Sequence, residues 1–316
     1  PESQLNDKIS VELNELKDEL AKYKDEHDKL SKSSNSLYYG VLSILEDDDI
    51  DNAIKELKKS SEQGNGYASF LLGLLYEIGR EVEQNIDDAL EYYEKSSKQG
   101  NSKGFYRIGF LYDKGKGVKR KLSKAIKYYE KAGELGDSQA LFNLAVRYAK
   151  GKGVKRNLSK AIEYYEKAGE LGDSQALFNL GVLYAKGKRV EQNYSKAIEY
   201  YEKAGELGEL NALFNLGVLY DKGEGVEQNY SKAIEYYEKA GELGELNALF
   251  NLGVLYDKGE GVEQNYSKAI EYYEKAGELG ELNALFNLGV LYDKGEGVEQ
   301  NYSKAIEYYE KAGELG

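Results

Sequence analysis

The chain has 316 residues, no cysteine, one histidine, one proline and a formal net charge of −13. Those counts exclude a disulfide framework, a thiolate metal site, a cysteine nucleophile and any histidine pair or triad, and the acidic balance argues against unaided nucleic-acid binding. With no stretch of about 18 consecutive apolar residues and no signal-peptide pattern, the chain reads as soluble, without direct membrane insertion. Because it begins at Pro1 without an initiator methionine, it reads as a processed or excised piece.

Residues 2–32 contain no glycine or proline, and Asn6, Ile9, Leu13, Leu16, Leu20, Tyr23, His27 and Leu30 alternate spacings of three and four. That is the seam of a coiled coil. Residues 1–32 are therefore expected to form an amphipathic helix that joins copies of the chain or folds back as an N-terminal cap. The polar stretch at 31–36 follows as a hinge or helix cap. Residues 33–64 then read as an abbreviated helix pair, the atypical terminal unit common in repeat arrays.

From residue 65 the sequence is periodic. The 36 residues at 281–316 stand unchanged at 245–280 and 209–244, and a glycine closes every interval from Gly64 through Gly100, Gly136, Gly172, Gly208, Gly244 and Gly280 to Gly316. Residues 65–316 are seven repeats. In the last copy, residues 283–294 form a first helix with Ala284, Leu285, Leu288, Gly289 and Tyr292 on one apolar face. Gly295 and Gly297 break it, Val298 tucks beneath the turn, and Asn301 or Ser303 caps a second helix. That second helix presents Ala305, Ile306, Tyr309 and Ala312 on one face and stops at Gly316.

The string Ala284, Leu288, Gly289, Tyr292, Gly295, Gly297, Val298, Lys304, Ala305, Tyr308, Tyr309, Ala312 and Gly316 resembles the Sel-1-like repeat, a relative of the tetratricopeptide repeat. The resemblance implies an all-α fold, a right-handed αα-hairpin solenoid or superhelix, and a role as an adaptor between proteins. Glu81 and Arg189 depart from the pattern at the second loop glycine and Ala145 at the helix glycine. Gly313 and Tyr308 stand where the family often has alanine and tryptophan.

Nothing in the residues assembles a catalytic centre. His27 sits at a heptad position and reads as a polar register-setter. Asp47, Asp49 and Asp51 start like a calcium loop, but the glycine is missing and Lys58 stands where a bidentate glutamate is needed, so an acidic helix N-cap is the better reading. The loop glycine pairs connect helix to helix and so fail the context of a phosphate loop. The 30 tyrosines fall mostly at packing positions of the repeat. The chain is expected to be non-enzymatic and to need no metal or cofactor.

Three features remain as candidate sites. The loop 114–121 is strongly basic, and Lys116, Lys119, Arg120 and Lys121, with Arg107, Lys124 and Lys127 nearby, could hold an acidic partner. Residues 101–136 carry +7 and residues 137–172 carry +3, whereas each identical repeat carries −4. An asparagine recurs on the first helix at Asn143, Asn179, Asn215, Asn251 and Asn287 and, with Asn283 and Lys294, is expected to face away from the core. First helices usually line the concave surface of such arrays, where an amide can meet a peptide backbone. Finally, Ile306, Tyr309, Ala312 and Leu315 have no following helix to cover them. Further repeats are expected there, or another chain stacked end to end. The partners implied are other proteins or copies of the chain itself.

Overall fold

The computed structural model describes residues 50–79, 82–188 and 190–315. The seam residues Ile9, Leu13, Leu16, Leu20, Tyr23 and Leu30 lie outside the described residues, as do His27, Asp47, Asp49, Glu81 and Arg189. Among the described residues there are fifteen α-helices and no strand. α1 (Ile50–Glu62) is followed by the pairs α2 (Gly66–Ile78) and α3 (Ile86–Lys98), α4 (Ser102–Lys114) and α5 (Leu122–Glu134), and α6 (Ser138–Lys150) and α7 (Leu158–Glu170). Then come α8 (Ser174–Lys186) and α9 (Tyr194–Glu206), α10 (Leu210–Lys222) and α11 (Tyr230–Glu242), and α12 (Leu246–Lys258) and α13 (Tyr266–Glu278). α14 (Leu282–Lys294) and α15 (Tyr302–Leu315) close the series. The chain forms two compact units, residues up to Tyr164 and residues from Tyr165, the division falling within α7.

Local chemistry sets the helix ends. The first helix of the last repeat begins at Leu282, one residue earlier than the periodicity predicts, because the Glu281 carboxylate accepts from the Asn283 N–H at 3.1 Å. Of the two predicted caps for the second helix, Asn301 does the work: its Oδ1 accepts from the Lys304 N–H at 3.0 Å. Ser303 lies inside α15. Gly295 ends α14 in the left-handed region, at φ 73°, with its N–H donating to the Leu291 carbonyl at 2.9 Å.

Each unit is cored by the same tyrosine-on-glycine contact. In the first unit Tyr93 and Tyr129 are fully buried, and a Cβ on Gly73 or Gly109 would lie 2.6 or 2.8 Å from their Cδ1 atoms. In the second, Tyr237 and Tyr273 are buried in the same way on Gly217 and Gly253. Glycine lets the two helix axes close until the ring fills the gap. The second loop glycine serves the next contact. Gly225 and Gly261 have φ of 73° and are pressed against Tyr194 and Tyr230 of the preceding repeats. Val298 and its equivalents Val226 and Val262 are partly buried beneath the turns, as predicted.

Candidate functional site

The polar groups that matter collect where one repeat meets the next. At the first such junction the Glu77 side chain is fully buried. The Tyr93 hydroxyl donates to its Oε2 at 2.6 Å, and Arg107 Nη2 and Lys116 Nζ donate to its Oε1 at 2.9 and 3.1 Å. Burial pushes the Glu77 carboxyl up, but the Arg107 guanidinium, the Tyr93 hydrogen bond and the Lys116 ammonium together hold it below the usual carboxylate range. Tyr93 is held far above its ordinary value, by its own burial and then by the Glu77 charge. The cluster is a neutralised core polar group, with the carboxylate from α2, the phenol from α3 and the cations from the following repeat.

The same construction recurs with different members. At the α4 junction Arg147 forms an ion pair with Asp113, and burial followed by the Asp113 charge drives the Tyr129 phenol up. Arg147 stands where the neighbouring repeats have Leu111, Leu183, Leu219, Leu255 and Leu291. It is only 8% exposed, and its Nε has no hydrogen-bond partner. In the second unit Asp221 and Asp257 accept from the Tyr237 and Tyr273 hydroxyls at 3.2 and 3.3 Å. Asn251 and Asn287 of the following repeats hydrogen-bond to those same tyrosines.

These contacts locate the asparagine ladder. Asn215 reaches Tyr201, Asn143 reaches Tyr106, and all five asparagines are half-buried at the junctions, rather than standing clear of the core as the helical wheel predicts. The reason is the tyrosine beside them, whose buried hydroxyl needs a polar neighbour. Asn283 is exposed and bound to the Glu281 cap, its Nδ2 lying 2.7 Å from Oε1, and Lys294 is exposed with Glu296 at 3.8 Å.

The basic cluster divides in two. Arg107 and Lys116 are turned inward onto Glu77, because a buried carboxylate demands counter-charge. Lys124 lies 4.6 Å over the Tyr112 ring. Lys119, Arg120 and Lys121 are exposed on the α4–α5 loop, where Arg120 Nε donates to the Asp113 carbonyl at 2.8 Å. They make no ion pair among the described residues.

In the second unit the far edge of each repeat carries a tyrosine stack between lysines. Tyr256 and Tyr272 stack at 5.7 Å and 11°, with Lys268 at 4.7 Å over the first ring and Lys275 at 5.6 Å over the second. The Tyr272 hydroxyl donates to Glu238 of the preceding repeat at 3.2 Å. These tyrosines tie repeats together.

At the last repeat, Ile306 is 56% exposed where the equivalent Ile270 is 8%, and Tyr309 is half-buried where Tyr273 is fully buried. The other two residues expected there behave differently. Ala312 stays 8% exposed because its own helix pair covers it, and Leu315, 53% exposed, matches the 50% of the internal Leu279. Among the described residues no group of histidine, cysteine, aspartate and glutamate is arranged to hold a metal. No helix there is long and apolar enough to cross a membrane.

The Sel1 repeat model matches seven times, at residues 66–101, 106–137, 138–173, 174–209, 210–245, 246–281 and 282–316. The chain belongs to the Sel1 repeat family. A protective antigen of uropathogenic Escherichia coli with an SLR fold is 29% identical, with a TM-score of 0.78 over 95% of this chain. The chain spans 64% of that protein's length. A Sel1 repeat protein from Oxalobacter formigenes is 31% identical over 81% of this chain and all of its own, with a TM-score of 0.60. A search of curated proteins found no match. The fold is thus an all-α solenoid of tandem Sel1 repeats, and proteins of this family typically act as non-catalytic scaffolds that mediate protein–protein interaction.

Proposed function

We propose that this Sel1 repeat chain is a non-enzymatic scaffold that holds an acidic protein segment against the α4–α5 loop. The observation that carries the reading is the exposure of Lys119, Arg120 and Lys121 without ion-pair partners among the described residues, in a repeat where Arg107 and Lys116 are committed to Glu77 and Lys124 lies over Tyr112. Three unpaired cations on one loop raise the local concentration of an anionic partner and speed its docking. The test uses the full chain and a fluorescein-labelled glutamate-rich peptide, read by anisotropy. Replacing Lys119, Arg120 and Lys121 by glutamine should remove most of the binding, and added salt should weaken what the parent shows. Equal affinity of parent and triple variant overturns the reading.

A further inference from the structure

Two grooves of the second unit recur at one register of the repeat. The first, about 600 Å³, is lined by Glu238 and Glu242 of α11, Leu249 of α12, Lys275 and Glu278 of α13, and Leu279 just beyond it. The second, about 500 Å³, lies 36 residues further on, with Leu285 as its floor and Glu314 and Leu315 on its rim. The floors are apolar and nearly closed to solvent, Leu249 and Leu285 being 6% and 7% exposed. Gly241 keeps the first floor low, since a Cβ there would stand 2.6 Å from Leu249 Cδ2. A glycine inside a helix costs stability relative to alanine, so its use here trades helix strength for space.

The rim leucine is the second oddity. Leu135, Leu171, Leu207, Leu243 and Leu279 are 46–50% exposed although each is followed by another repeat. Stopping the helix does not require leucine. Gln99 holds the same register in the first repeat and ends α3 through its own N–H, which donates to the Lys95 carbonyl at 3.1 Å. Single exposed leucines are ordinary, but a leucine at this register in six successive repeats, two of them at the lip of a groove, is a patterned apolar surface.

The walls define what fits. Lys275 is held by Glu271 at 2.7 Å, whereas Glu242 and Glu278 are exposed and make no ion pair among the described residues. An apolar side chain entering between them meets leucine below and negative charge on both sides. We propose that these second-helix grooves dock an amphipathic basic segment of a partner protein, with a leucine-like side chain on Leu249 against Leu279 and lysine or arginine on Glu242 and Glu278. The inference rests on the scaffold reading but uses different residues and a partner of opposite charge.

The probe is a fluorescein-labelled peptide of leucine and lysine, its leucines at helical spacing, titrated with the full chain and followed by anisotropy. Two control peptides carry glutamate for lysine and serine for leucine. Leu279→Asn combined with Leu315→Asn should weaken the leucine–lysine peptide roughly ten-fold or more, the loss expected when a buried leucine contact is removed, and should leave the serine–lysine peptide unaffected. Glu242→Gln with Glu278→Gln should weaken both lysine peptides. Each leucine is half-exposed, so unchanged circular dichroism and melting are expected and serve as the fold control. Unchanged affinity in the leucine variant, absence of binding to the parent, or equal binding of the glutamate peptide overturns the proposal. So does self-association of the parent that the leucine variant abolishes, which would assign the grooves to a second copy. None of these outcomes bears on the acidic-peptide test of the α4–α5 loop, so the two can fail separately.

Discussion

Arg107 closes on Glu77 across the first repeat junction, Nη2 to Oε1 at 2.9 Å, with the carboxylate side chain fully buried and the guanidinium 13% exposed. At the same register, 36 residues on, stands Asn143, so one position of the repeat carries either a counter-charge or an amide according to what the junction has buried. Arg107→Asn puts the residue of the later repeats at a junction that has buried a carboxylate. Glu77 would keep only the Tyr93 hydroxyl and the half-exposed Lys116, and breaking one side of a buried pair costs about 3–5 kcal/mol. The denaturant midpoint of the first unit should fall sharply. Glu77→Gln combined with Arg107→Asn should recover most of the loss, and a double variant as weak as the single would contradict the pairing.

The acid response of that junction has a defined sign. Glu77 titrates below its ordinary value of 4.5 in the folded chain, so its stabilising contribution is complete above that value and is lost as pH falls through the lowered one. Asp221 and Asp257 are shifted the other way: burial raises both above 3.8, outweighing the tyrosine hydrogen bonds that lower them. Their contribution is present below the ordinary value and fades as pH rises through the raised one. Thermal melting from pH 3 to pH 7 should therefore show Glu77→Gln flattening the loss toward acid. Asp221→Asn with Asp257→Asn should flatten the weaker decline toward neutrality. Identical pH profiles in parent and variants would contradict both assignments.

Arg147 offers a test of whether a buried ion pair stabilises at all. It occupies a core leucine register, pairs with Asp113 and leaves its Nε without a partner. Arg147→Leu alone strands Asp113 and should destabilise. Arg147→Leu with Asp113→Ala reproduces residues found at those registers elsewhere in the chain, Leu183 and Ala149. Replacing a buried pair by apolar packing is often favourable by about 1–4 kcal/mol, so the double variant should melt above the parent. A double variant below the parent would assign net stabilisation to the Arg147–Asp113 pair.

Much of this architecture was open to reading from the period alone. A glycine every 36 residues and the apolar spacing within one unit place each helix to within a residue, and the Gly–Tyr contact follows from residue size. The junction polar groups were hidden for a specific reason: they bond across 30 to 39 residues. Arg107 and Lys116 read as members of a basic surface because their sequence neighbours are basic, while their acceptor, Glu77, sits one repeat earlier. Aligning the repeats by register would have shown Arg107 in the asparagine column and Arg147 in a leucine column, and both mark a buried acid. The exposed leucine column was visible too, but only the burial of neighbouring groups distinguishes a groove rim from a core position. Leu315, exposed like the internal Leu279, belongs to that column.

The tightest contact in the repeat can be probed where its surroundings differ. Gly253 faces the fully buried Tyr273, and Gly289 faces Tyr309, which is half-buried. The sequence at both sites is identical, so the intrinsic propensity change of a substitution cancels. Leucine at either site must displace the ring from the helix it leans on. At Gly253 the ring is enclosed by the following repeat and cannot move, so overpacking should cost about 1–3 kcal/mol or more. At Gly289 the ring has solvent on its far side and can swing away, so the same change should cost less. Denaturant melts of Gly253→Leu and Gly289→Leu measured side by side decide the point: the internal variant is expected to unfold at the lower midpoint, and equal midpoints would mean that the following repeat does not confine the tyrosine.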